Sequence, residues 1–182
     1  MTVEATTYLL IDGENIDWAL GGILDRKPEP HERPRWQHIV EFAEEQWDQR
    51  VRPLFFINAT RQLHAPFVQA LMAMGYRPIP LSGRADQKVV DIAIQRTLQA
   101  LRDRPGDVLL ASHDADFADD LAALAGTRRL GLVVFTELVA QALRDVPGIE
   151  IYDLEDHAEA FDIDLPRVRV IPIDDFDPTR FL

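Results

Sequence analysis

The run Tyr8-Leu9-Leu10-Ile11, closed by Asp12-Gly13-Glu14-Asn15, decides the fold. Four consecutive apolar residues without alternation read as a strand buried on both faces, and Asp-Gly after them reads as a turn. Such a strand belongs in a parallel sheet covered by helices on both sides. The rest of the chain repeats the pattern. Short apolar runs at 51–57 (closed by Asn58), 76–81, 107–111, 130–135 and 149–154 read as strands. Between them lie amphipathic stretches. Residues 36–47 carry Trp36, Ile39, Val40, Ala43 and Trp47 at helical spacing, 66–74 carry Phe67, Val68, Leu71 and Met74 ahead of Gly75, and 88–101 carry Val90, Ile94, Leu98 and Leu101. Residues 117–125, ended by Gly126, and 137–144 complete the helices. Pro78 and Pro80 place the 76–81 strand at a sheet edge, where a missing donor costs little. Residues 14–34 are polar and rich in Pro and Gly, and read as a long loop with a short helix at 16–24. Strands alternating with helices imply an α/β sandwich with a central, mostly parallel sheet of about five strands and helices on both faces.

The chain has 182 residues, enough for one domain with its own core. It has no cysteine, which removes disulfides, thiol nucleophiles and Cys-based zinc sites. Its net charge of −12 argues against nucleic-acid or anionic-membrane binding through bulk electrostatics. A site in which acids hold a cation is compatible with that charge, because the bound ion reverses the local sign. No apolar run approaches a membrane span, and residues 1–7 lack the basic start of a secretory signal, so a cytoplasmic protein is expected.

In such sheets ligands sit beyond the carboxyl ends of the strands. Acids stand there. Asp12 ends the first strand, and Ser112-His113-Asp114-Ala115-Asp116 follows the 107–111 strand. Asp91 lies in the first turns of the 88–101 helix. Converging carboxylates repel unless a proton or a cation relieves them, and hard divalent ions take oxygen ligands. Read singly, each has a plainer role: Asp12 as a turn residue, Asp114 or Asp116 as a helix cap, Asp91 as a solvated helix residue. Together they point to a site. Walker-type and dinucleotide-binding glycine motifs are missing, and Ser112 and Ser82 lack a nucleophile elbow. His113 reads as a loop residue outside the ligand set.

Three motifs resemble those of the NYN family of PIN-like nucleases, most closely its bacterial LabA-like branch. Tyr8 to Asn15 resembles the family's hydrophobic-Asp-x-x-Asn strand, Lys88-Val89-Val90-Asp91 its Lys-Gly-Val-Asp helix start, and Ser112 to Phe117 its Ser-Gly-Asp-x-Asp-Phe motif. They occur in the family's order. The resemblance implies a PIN-like three-layer fold over 1–154 and cleavage of RNA with Mg²⁺ or Mn²⁺. It implies Asp12, Asp91, Asp114 and Asp116 as metal ligands and catalytic residues, with Asn15 orienting Asp12 or a metal water. The chain departs at Val89 and His113, where the family has Gly, and at Thr97, where a further helix acid is often found.

The resulting expectation is a metal-dependent ribonuclease, an endonuclease, with substrate contacts from Arg84, Lys88 and Ser112 and from the loop residues Arg26, Arg33 and Arg61. Two rivals stand beside it. One is a catalytically weak or inactive RNA-binding or protein-interaction module on the same fold, and the other is a small-molecule phosphohydrolase using the same crevice. Residues 155–182 form an acidic extension. From Glu150 onward the chain carries net −7, leaving −5 for the first 149 residues. Within the extension, 166–173 alternates Val168, Val170 and Pro172 with Arg167, Arg169 and Ile171. That is an edge-strand pattern, expected to pack on the sheet or on a second copy of the chain.

Overall fold

The computed structural model describes residues 5–168 and 170–182. Six parallel strands form one sheet in the order β3-β2-β1-β4-β5-β6. They are β1 (Thr6–Asp12), β2 (Arg50–Asn58), β3 (Arg77–Leu81), β4 (Asp107–Ala111), β5 (Leu130–Val134) and β6 (Glu150–Asp153). The sheet thus has six strands rather than about five, and β3 with its prolines lies at an edge, as Pro78 and Pro80 require.

Alternate residues of each central strand feed two cores. Leu9, Ile11, Phe55, Leu109 and Val133 face one layer, formed by α1 (Gly13–Leu24), α2 (Trp36–Trp47) and the chain after β6. Leu10, Phe56, Leu110, Leu132 and Val134 face the other, with α4 (Val89–Ala100) and α5 (Ala118–Ala122). The short α3 (Ala65–Ala73) leads into β3, and α6 (Gln141–Arg144) into β6. The helix expected at 117–125 is shorter, preceded by a 3-10 turn at Ala115–Phe117, and the 137–144 helix splits into a 3-10 turn and one α-turn.

The short helix expected at 16–24 is present but starts three residues earlier, so the long loop expected from 14 is cut back to the stretch after α1. Helix α1 begins at Gly13, directly after β1, and runs twelve residues with Ile16, Ala19 and Leu20 buried. Gly13 permits this entry: a Cβ there would lie 2.7 Å from the Phe55 ring.

The edge-strand expectation for 166–173 is also corrected. None of its described residues is in a strand, and Val168 and Val170 are 99% and 98% exposed. Arg169 lies outside the described residues. The extension packs further upstream. Ala158, Ala160 and Leu165 are buried in the first core, and Arg167 pairs with Glu137 and Glu155 above the Phe135 ring. Anchored through Arg167, the chain does not run alongside a strand.

The strand order places the site. β1 is followed outward by β2 and β3, after which α4 carries the chain back across β2 and β1 to β4 on the other side. The carboxyl ends of β1 and β4 therefore flank the switch point, where a crevice opens in parallel sheets.

Candidate metal centre at the sheet switch point

Asp12 ends β1 and caps α1, accepting a hydrogen bond from the Asn15 backbone N–H at 3.3 Å. Its other oxygen accepts from the Ser112 hydroxyl at 2.9 Å, at the end of β4. The carboxyl is 2% exposed. Burial raises its pKa to about 6; the Ser112 and Asn15 bonds oppose the rise, and the charges of Asp91 and Glu14 add to it.

In front of Asp12 three acids converge. Asp91 sits in the first turn of α4, and Asp114 and Asp116 on the turn after β4. One carboxylate oxygen from each lies within 4.8 Å of the other two. Asp114 accepts from the Asp116 N–H at 2.9 Å, which folds the turn so that both side chains reach the same side. Burial raises the pKa of Asp91, the charges of Asp114 and Asp116 raise it further, and Lys88, 3.7 Å away, opposes them. A hard, oxygen-only donor set under mutual repulsion fits a divalent cation of the Mg²⁺ or Mn²⁺ type.

The four acids expected as one ligand set thus divide. Asp91, Asp114 and Asp116 form the close group, and Asp12 stands behind it, held by Ser112 and Asn15. Ser112, expected at the substrate, is fully buried with its hydroxyl committed to Asp12 and accepting from the Asp114 N–H at 3.3 Å. Asn15 touches Asp12 only through its backbone. Its side-chain oxygen accepts from the His113 N–H at 2.8 Å and from His113 Nδ1 at 2.9 Å.

His113 Nε2 accepts from the Phe135 N–H at 2.9 Å, so the ring is neutral with its proton on Nδ1. Burial lowers its pKa to about 4. The ring stacks on Phe135, ring centres 5.8 Å apart, and ties the first turn of α1 and the ends of β4 and β5 together. This is the structural use of a His where the motif has Gly. Val89, the second departure, is buried against Gly83, where a Cβ would fall 2.7 Å from Val89 Cγ1.

Of the expected basic contacts, Arg84 and Lys88 are exposed on the loop leading into α4, and Arg61 is exposed after β2. Arg26 is paired with Glu32, and Arg33 with Asp17 at 3.1 Å, so these two brace the chain after α1. One neighbour of the crevice was not singled out from the sequence. The pKa of Glu14 is raised by burial and then by the charge of Asp91, which places it beside the acid group. Its position two residues after the strand-ending Asp12 is the only signal for it in the sequence.

Among the described residues no helix is long and apolar enough to cross a membrane. No curated protein matches the chain. A crystal structure of a protein of unknown function from Vibrio parahaemolyticus superposes with a TM-score of 0.67 at 14% identity, covering 86% of this chain and 97% of that one. At that identity the likeness concerns the fold, which it shares. The NYN domain model matches residues 6–155. That span holds all six strands and every acid of the crevice, and the chain belongs to the NYN domain family, with its nuclease-like α/β fold.

Proposed function

We propose that this protein is a divalent-metal-dependent ribonuclease, an endonuclease of the LabA-like branch acting on cytoplasmic RNA. The observation that carries the reading is the group of Asp91, Asp114 and Asp116, with oxygens within 4.8 Å, at the switch point of a parallel sheet. These three residues would hold Mg²⁺ or Mn²⁺. A cation bound there supplies charge neutralisation for a phosphodiester, lowers the pKa of an attacking water and stabilises the leaving oxygen.

The chain's own groups set the conditions. Asp12 accepts from Ser112 and so fixes the turn that carries Asp114. With its pKa near 6, Asp12 is a negative charge behind the close group at neutral pH and a neutral acid below it. Lys88 offsets part of the repulsion on Asp91. Arg84 and Lys88, exposed on the loop leading into α4, would contact a substrate phosphate by leaving Asp86 and Asp91, each 3.7 Å away. His113 takes no part in proton transfer, since both ring nitrogens are committed.

The deciding experiment is incubation of the full chain with a mixed panel of RNA and DNA strands, with Mg²⁺, with Mn²⁺ and with chelator, beside Asp114→Asn. RNA cleavage that needs metal and is lost in the variant supports the reading. RNA binding without cleavage under every metal condition replaces it with the binding-module reading.

A further inference from the structure

Several arginines of this acidic chain are paired with carboxylates, among them Arg26 with Glu32, Arg33 with Asp17, Arg35 with Asp162, Arg102 with Asp120 and Arg129 with Glu150. Arg52, Arg96 and Arg104 have no ion-pair partner among the described residues, yet they gather around one cleft of about 350 Å³. It lies between the amino-terminal half of the sheet and the second half of α4, lined by Tyr8, Arg52, Leu54, Arg96, Thr97 and Arg104 among others. No carboxylate lines it. The Arg52 guanidinium lies 6.0 Å from the centre of the Tyr8 ring. Thr97, where the motif would have an acid, turns its hydroxyl back onto the Ala93 carbonyl at 2.8 Å and adds no charge.

Three like charges held together on a chain of net −12 cost repulsion that internal partners do not relieve. A polyanion would relieve it. The direction of α4 says which one. Asp91 is in its first turn and Arg96 five residues on, about 7.5 Å along the axis. Arg104 lies beyond the last turn, directly after the 3-10 extension Leu101–Asp103. One helix therefore leads from the acid group to the arginine cleft over the span of a few nucleotides.

We propose that the Arg52–Arg96–Arg104 cleft is a secondary site for the backbone of single-stranded RNA, anchoring the strand away from the bond being cut. The choice of RNA as the polymer rests on the nuclease reading above; the existence of the anion site does not. Phosphates would meet the guanidinium groups, and Tyr8 puts an aromatic ring in the lining of the same cleft. The three arginines come from β2, the second half of α4 and the residue after its 3-10 extension, a spread that suits a polymer backbone carrying several phosphates.

The test is binding of a labelled single-stranded RNA dodecamer to the full chain in chelator, at several salt concentrations. It compares wild type, Arg96→Ala/Arg104→Ala, and Arg102→Ala, which loses a paired arginine from the same turn. The double variant keeps the fold, since both side chains are exposed. Losing two phosphate contacts should weaken binding about tenfold or more at low salt and flatten the log–log salt slope by about 1.4, with Arg102→Ala near wild type. Equal affinity and slope in the double variant overturn the proposal, as does an equal loss in Arg102→Ala or a wild type that does not bind. Displacement of the RNA by inorganic phosphate at matched charge also overturns it, in favour of a small-anion site. A specific loss of binding in a protein that cleaves nothing with metal leaves the cleft standing and removes the nuclease reading instead.

Discussion

Replacing Asp12 with Asn should stabilise the metal-free protein. The folded carboxyl has a pKa near 6, against 3.8 for the unreacted group, and the cause is chiefly burial. Each unit is worth 1.36 kcal/mol, so keeping Asp12 ionised at neutral pH costs about 3 kcal/mol. An amide of the same shape can still accept from the Asn15 N–H and donate to Ser112 Oγ. The gain should be about 2–3 kcal/mol, or roughly 5–10 °C in Tm for a domain of this size. Between pH 3.8 and 6 the folded state holds a proton on Asp12 that the unfolded state has lost. Wild type therefore loses stability as pH rises through that window, and the penalty is complete above pH 6. His113 does the opposite: its folded pKa, near 4, lies below its ordinary 6.5, so its contribution is full above pH 6.5 and is lost as pH falls through 4. The two slopes oppose each other in wild type, and only the difference between the proteins isolates Asp12. Thermal unfolding in chelator from pH 4 to 8 measures it. The reasoning fails if Asp12→Asn is no more stable than wild type at pH 8, or if the difference does not shrink toward pH 4.

Asp91→Asn or Asp114→Asn should reduce metal-dependent RNA cleavage at least about 100-fold with an unchanged circular dichroism spectrum; full activity in either would remove that residue from the ligand set. The His113 ring should show the Nδ1–H tautomer by nitrogen NMR and no titration between pH 5 and 8, and His113→Ala, which strands the Phe135 N–H and leaves Asn15 Oδ1 with the backbone N–H of residue 113 alone, should cost about 1–3 kcal/mol by chemical denaturation. Truncation after Leu154 should lower Tm markedly, because it strips Ala158, Ala160 and Leu165 from the core and leaves Glu137 without Arg167; an unchanged Tm would show the extension to be dispensable.

The strands were legible because a parallel sheet buries both faces. Tyr8 to Ile11, 108–111 and 130–134 carry no polar side chain facing either layer, as a strand covered on both sides requires. Helix α1 was harder to see. Its stripe of Ile16, Ala19, Leu20 and Ile23 has helical spacing, but Glu14, Asn15, Asp17, Gly21 and Gly22 share its composition with the proline-rich stretch that begins only at Pro28. The tail misled through its alternation. Val168 and Val170 have the spacing of a strand, yet Arg167 is drawn down onto Glu137 and Glu155, and pairing along the sheet edge would require it to leave both.

At the crevice the acids themselves were legible, and the way they divide, which depends on strand order, was not. Asp114 and Asp116 share one turn, so their proximity follows from five residues of sequence. Asp91 joins them only because α4 recrosses the sheet, and Asp12 stands apart only because Ser112, one hundred residues away, offers a hydroxyl at the neighbouring strand end. The same adjacency makes His113 bridge Asn15 and Phe135 rather than face the solvent. Strand order therefore sets both the charge of the site and its restraint. It brings a fourth carboxyl close enough to add repulsion through Asp91, yet buries it deeply enough that its ionisation is costly. An acid moved from Asp12 to an exposed strand end would keep its charge at every physiological pH, whereas Asp12 can surrender its charge near pH 6.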